Sequence, residues 1–122
     1  MCGICGIIDL SGNPVATDTL SSMVSAIKHR GPDSSGIKTD GNVGLAHCRL
    51  AILDVSKAGD QPMVSNCGRY ILVYNGEVYN YLDIRKLLEA EGSIFNSQTD
   101  SEVVLEAYAT WGKACIHRFN GM

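Results

Sequence analysis

Apolar positions along this chain change period repeatedly, and each change marks a different element. Over residues 2–10 they run almost without interruption, with β-branched Ile4, Ile7 and Ile8 set among glycines. That pattern predicts a buried strand, stopped by the turn sequence Ser11-Gly12-Asn13-Pro14. Leu20, Met23, Val24 and Ile27 then recur at spacings of three and four, one apolar face of a helix capped by Thr17 or Asp18. The word HRGPD ends it: Gly31 and Pro32 stop the helix, and basic Lys28, His29 and Arg30 suit its negative end.

Strand-like runs follow at 36–39, at 43–53 with a break near Arg49, and at 70–74. A helix is predicted over 81–91, with Ile84, Leu87 and Leu88 inward and Gly92 as the stop. Another starts at Thr99-Asp100-Ser101-Glu102, which has the capping-box pattern, and would bury Val103, Val104, Ala107, Tyr108 and Trp111. Strands that follow one another directly, mixed with helices, predict an α+β fold rather than a regular βαβ repeat. The closing Phe119-Asn120-Gly121-Met122 predicts no element of its own, as expected of a fragment.

Composition narrows the function classes. A chain of 122 residues is one domain or part of one, and 45% apolar with 19% charged residues is ordinary for a globular protein. The net charge of −3 and the absence of any Lys/Arg cluster argue against a nucleic-acid partner. No apolar run approaches the ~20 residues that span a bilayer, so no membrane role is expected. The N-terminus lacks the positive segment of a signal peptide. Five cysteines are an odd set, and without a secretory signal they read as reduced thiols in the cytoplasm.

The candidate chemistry starts at the first peptide bond. Cys2 and Cys5 form a CxxC, but a structural zinc site needs about four ligands. Cys48, Cys67 and Cys115 are scattered singly, and His29, His47 and His117 make no ligand pair. No metal site is therefore expected. In a strand, residues 2 and 5 would face opposite sides of the sheet. Removal of Met1 would instead leave Cys2 with thiol and α-amino group on one carbon. That amine has an ordinary pKa of about 7.7–8.0, near that wanted of a general base. A terminal nucleophile thus carries its own base.

Three further features bear on such a nucleophile, each with two readings. Asn75-Gly76 is either a hairpin turn or an oxyanion hole made of the Asn75 carboxamide and the Gly76 N–H. Arg49, in the mostly apolar GLAHCRLAILD, needs an anion: a structural salt bridge or a substrate carboxylate held in a bidentate fork. Asp100, in the first turn of a helix, serves the helix terminus or receives a substrate ammonium.

Together CGICGIIDL, HRGPDSSG, GLAHCRLAILDVSKAGDQPM, YNGEVYN and SQTDSE, in that order, resemble the glutaminase domain of class II glutamine amidotransferases. These are N-terminal-nucleophile hydrolases, and HRGPD with RLAILD is most similar to their asparagine synthetase branch. The resemblance covers nearly the whole chain, as one amidotransferase domain over residues 1–122. It implies an αββα sandwich, truncated at the C-terminus because family domains continue into further strands. Cys2 matches the nucleophile that attacks the glutamine side-chain amide, and Asn75 and Gly76 match the oxyanion hole. Arg49 matches the residue that binds the α-carboxylate, with Leu50, Ala51, Ile52 and Leu53 alongside. Glu77 belongs to the substrate-contacting segment, and Asp100 matches the partner of the α-ammonium. His29 and Asp33 carry no assigned role and are expected to make buried hydrogen bonds that stabilise their loop.

The implied reaction passes through a thioester to glutamate and ammonia, the ammonia going to an acceptor that is aspartate by default. The glutaminase part needs no cofactor. ATP and Mg belong to a synthetase domain or subunit, whose phosphate-binding loops have no counterpart in this sequence. A missing half-sheet would leave an edge that either weakens folding or serves self-association as a homodimer. A rival reading is a non-catalytic glutamine-binding or interaction domain on the same fold, and a further one is a CxxC redox or zinc module.

Overall fold

A computed structural model describes residues 2–52 and 54–122, and shows mixed helix and sheet in two compact units. The first comprises Met1–Ile52, Asp60–Pro62 and Val73–Asn75; the second comprises Leu53–Gly59, Met63–Leu72 and Gly76–Met122.

In the first unit, strand β1 (Gly3–Ile8) is followed by helix α1 (Thr17–Ile27), then by β2 (Ser34–Asp40) and β3 (Val43–Arg49). The sheet order is β1-β3-β2, with both pairs antiparallel. Leu20 and Val24 of α1 meet Ala46 and Cys48 of β3, and Cys5, Ile7 and Ile37 pack around them. This is the core anticipated from the three-and-four spacing. The cap of α1 is Ala16, without a side-chain hydrogen bond, in place of Thr17 or Asp18.

Strand β1 departs from the uniform burial that its apolar run implies. Cys5 and Ile7 turn to the core, whereas Ile4 and Ile8 are 49% and 64% exposed on the opposite face. The strand is half-buried because only one face of its sheet carries α1.

Strand β3 stops at Arg49, at the break expected in the 43–53 run, because the next backbone donors go to side chains. Leu50 N–H donates to Cys2 Sγ and Ala51 N–H donates to Asp33 Oδ2, so neither is offered to a ladder. Leu53 lies outside the described residues.

The second unit holds the short pair β4 (Met63–Val64) and β5 (Ile71–Leu72), helix α2 (Tyr81–Ala90) and helix α3 (Asp100–Trp111). A 3-10 segment, Gly112–Arg118, follows. In α2, Ile84 and Leu88 are buried, but Leu87 is 49% exposed, against the expectation that it faces inward.

The cap of α3 is half a capping box. Thr99 Oγ1 accepts the Glu102 N–H, yet the Glu102 carboxylate accepts from Asn96 and Ser97 N–H instead of returning to Thr99. Helix α3 buries Val103 and Ala107 as expected and also Leu105, while Tyr108 is exposed. Glu102 and Glu106 are buried too, because each carboxylate satisfies loop N–H groups, Glu106 holding that of Asn66. Apolar periodicity cannot anticipate such a burial.

The C-terminal residues form no element of their own, as expected, but they are tied to the segment around Val78. Gly121 bridges Val78, and Glu77 and Met122 exchange two backbone hydrogen bonds at 2.8 and 2.9 Å. Among the described residues no helix is long and apolar enough to cross a membrane.

Candidate active site

In the first unit, β3 decides where the polar chemistry lies. Since Ala46 and Cys48 face α1, strand alternation puts His47 and Arg49 on the opposite face. The HRGPD loop lies against the end of this strand. A Cβ at Gly31 would run into the backbone of Cys48 and Arg49, so the loop needs glycine there.

Around that contact, the word's other residues hold Cys2 and the segment after Arg49. Arg30 Nε donates to the Cys2 carbonyl at 3.1 Å. Asp33 donates its N–H to Arg49 O at 3.1 Å and accepts the Ala51 N–H at 2.8 Å. These are the loop-stabilising bonds expected of Asp33, though its side chain is exposed rather than buried; His29 is exposed as well.

Cys2 itself precedes β1. Its Sγ accepts the Leu50 N–H at 3.3 Å, and its thiol donates to the Leu50 carbonyl at 3.7 Å. Cys5 packs toward the core cluster, and all five cysteines are free thiols. Burial, with Cys48 nearby, pushes the Cys5 thiol up. Among the described residues no group of three or more His, Cys, Asp or Glu is placed to hold a metal ion.

Arg49 is 7% exposed and pairs with Asp60, Nη1 to Oδ1 at 3.0 Å. The Ser34 hydroxyl donates to the same carboxylate oxygen at 2.7 Å. The salt-bridge reading of Arg49 is thus realised. A guanidinium carries five N–H donors, so this carboxylate does not preclude a second. Leu50 and Ala51 are half-buried beside it and Ile52 is exposed.

The YNGEVYN word crosses the boundary of the units, with Asn75 in the first and Gly76 in the second. Neither residue has the positive φ that a type I′ hairpin turn demands of both central positions. The hairpin reading of Asn75-Gly76 therefore fails. Asn75, Gly76 and Glu77 are all exposed.

In the second unit Asp100 is the first residue of α3, the cap being Thr99, and is 6% exposed. Its Oδ2 accepts the Val78 N–H at 2.9 Å, tying the segment after Glu77 to the helix start.

Residues that sequence reasoning did not single out are Arg30, Ser34, Asp60, Gln61 and His47. Arg30 lies within HRGPD and Ser34 directly follows it, close enough to be suspected; Gln61 gives no local signal. His47 is fully buried, and burial pushes its imidazole below the ordinary value of 6.5. The Tyr74 carbonyl pulls it upward, Arg49 lowers it further, and Asp60 raises it.

This makes stability pH-dependent with a definite sign. The unfolded chain takes up the His47 proton at a higher pH than the folded chain does. The contribution is complete above pH 6.5 and is lost as pH falls toward the depressed folded value. Urea midpoints at pH 7.5 and 5.5 are expected to drop more in the natural protein than in His47→Gln. Equal drops would discard this account.

A family model described as a glutamine amidotransferase domain matches residues 1–122. A putative glutamine-hydrolysing asparagine synthetase 2 of Methanocaldococcus jannaschii is 41% identical across the whole chain. Glutamine-hydrolysing asparagine synthetases of Bacillus subtilis (number 1) and Sandersonia aurantiaca are each 37% identical, again across the whole chain. The chain spans 26%, 20% and 23% of these relatives' own lengths. With every residue inside the match, the chain belongs to the glutamine amidotransferase domain family.

Proposed function

We propose that this domain hydrolyses the side-chain amide of glutamine with Cys2 as nucleophile once Met1 is removed. The observation that carries the reading is the placement of Cys2 Sγ against the Leu50 peptide, directly after buried Arg49. A thiol at the head of the chain and a cation for the α-carboxylate thereby belong to one compact unit.

The steps balance without a cofactor. The Cys2 α-amine takes the thiol proton, and the sulfur attacks the amide carbon to give a tetrahedral oxyanion. The Asn75 carboxamide and Gly76 N–H donate to that oxygen. Collapse breaks the C–N bond, the protonated amine returns the proton to the leaving nitrogen, and ammonia departs. Water then cleaves the thioester to glutamate and regenerates the thiol. Arg49 takes the glutamine α-carboxylate and Asp100 the α-ammonium, with Leu50, Ala51, Ile52 and Glu77 lining the ligand. Losing either charge partner would leave its counterpart unpaired, which is how a zwitterion is discriminated from analogues.

The same reading places the chain in an αββα sandwich, supported by exposed Ile4 and Ile8 on the sheet face opposite α1. It assigns the ammonia to an acceptor, aspartate in an asparagine-synthetase-like reaction, through a synthetase domain or subunit that uses ATP and Mg. Its setting is the cytosol, where the thiols stay reduced.

An electrophilic glutamine analogue tests the chemistry, with peptide mass mapping as the readout. Cys67 is the control, because its thiol is exposed and pushed down by the Ser65 hydroxyl, which makes it open to any alkylating agent. A one-to-one adduct on Cys2, blocked by excess glutamine, is expected. Labelling of Cys67 alone would overturn the assignment.

A further inference from the structure

His47 is fully buried in the middle of β3, registered between Ile4 of β1 and Gly36 of β2. Its Nε2 lies 3.2 Å from the Tyr74 carbonyl oxygen. A carbonyl only accepts, so this nitrogen carries the proton and donates. The other ring nitrogen, Nδ1, is buried with no hydrogen-bond partner. An orphaned buried nitrogen is costly, and an apolar residue of similar size would avoid it. The use of a histidine here therefore points to the Nε2–H bond.

The far side of the same residue is held as well. Tyr74 N–H donates to Gln61 Oε1 at 2.6 Å. Gln61 is in turn fixed by β2, where Gly36 approaches so closely that a Cβ would meet the Gln61 carbonyl. Both peptide groups of Tyr74 are thus bound by side chains. This also explains why the strand run predicted to reach residue 74 ends at Leu72.

We propose that His47 is a positioning residue for the oxyanion hole, clamping the Tyr74 carbonyl, with Gln61 on the Tyr74 N–H, so that Asn75 is held in place. The Tyr74 carbonyl shares one rigid peptide plane with the Asn75 nitrogen and Cα. A hydrogen bond to that oxygen therefore sets where the Asn75 side chain begins. The inference rests on the oxyanion role proposed for Asn75. His47 touches no reacting atom in this scheme, and Arg49 and Asp60 are the charged groups nearest it in effect.

The test measures glutaminase kcat and KM on the full chain for His47→Leu, His47→Gln, Asn75→Ala and the double variant His47→Leu/Asn75→Ala. His47→Leu is expected to lower kcat about tenfold or more while KM changes little, because an oxyanion forms only after binding. His47→Gln, whose Nε2 can donate from the same place, should recover most of the loss. In the Asn75→Ala background, His47→Leu should cost nothing further. An equal loss in that background, or a raised KM with unchanged kcat, overturns the inference. An unchanged kcat in Asn75→Ala alone overturns the oxyanion reading beneath it, so the two failures are told apart. Should His47→Leu fail to fold, ring 15N spectra of the unaltered protein decide. The Nε2–H tautomer at pH 7 supports the clamp, and the Nδ1–H tautomer overturns it.

Discussion

Cys2→Ala is expected to abolish ammonia release from glutamine, with kcat falling by roughly four orders of magnitude or more. The size follows from what is removed. Without sulfur no thioester forms, and only oxyanion donors and substrate positioning remain to assist water. Binding should survive, because the proposed mechanism assigns the charge complement of the amino acid to Arg49 and Asp100. Calorimetry with glutamine is therefore expected to give a similar affinity in the variant. The packing cost is small: the sulfur's partners are one N–H and one carbonyl of Leu50 at 3.3 and 3.7 Å. Coupled detection of glutamate measures the rate, and unchanged turnover would remove Cys2 from the mechanism. The intact mass bears on the same point, since retention of Met1 would leave no free α-amine beside the thiol.

Asn75→Ala is expected to lower kcat by about 10²–10³, or ~2.7–4 kcal/mol of barrier, with KM nearly unchanged. The backbone supports this over a purely local role. With neither Asn75 nor Gly76 at positive φ, the dipeptide makes no type I′ turn, so the asparagine is not there to satisfy one. Asn75 is exposed, in keeping with a residue that meets a substrate. A structural asparagine would lower the urea midpoint and leave kcat alone, and that pattern would reject the assignment.

Several element types were legible from local spacing. The Leu20, Val24 face of α1 and the Ile84, Leu88 face of α2 follow from burial at helical period. The Thr99 cap follows from side-chain chemistry within one turn. Where an element stops was decided by backbone groups that find their partners far along the chain. Strand β3 ends at the break expected near Arg49, because Leu50 and Ala51 bond to residues 48 and 18 positions away. The run through 70–74 stops because Tyr74 is claimed by Gln61 and His47. The closing FNGM has no element of its own and is held by pairing with 77–79.

By itself the sequence determined the α+β class, the family words and the residue types a glutamine-hydrolysing site calls for. Those depend on local periodicity and on which atoms each side chain carries. Tertiary structure decided which alternative each word takes. It closed the Arg49–Asp60 ion pair, excluded the Asn75-Gly76 hairpin, and buried His47 with one nitrogen bonded and one orphaned. The ion pair joins side chains 11 residues apart, and the His47 bond reaches a backbone carbonyl 27 residues away. No local window contains both partners of such a bond, so folding alone brings them within 3 Å or so of each other.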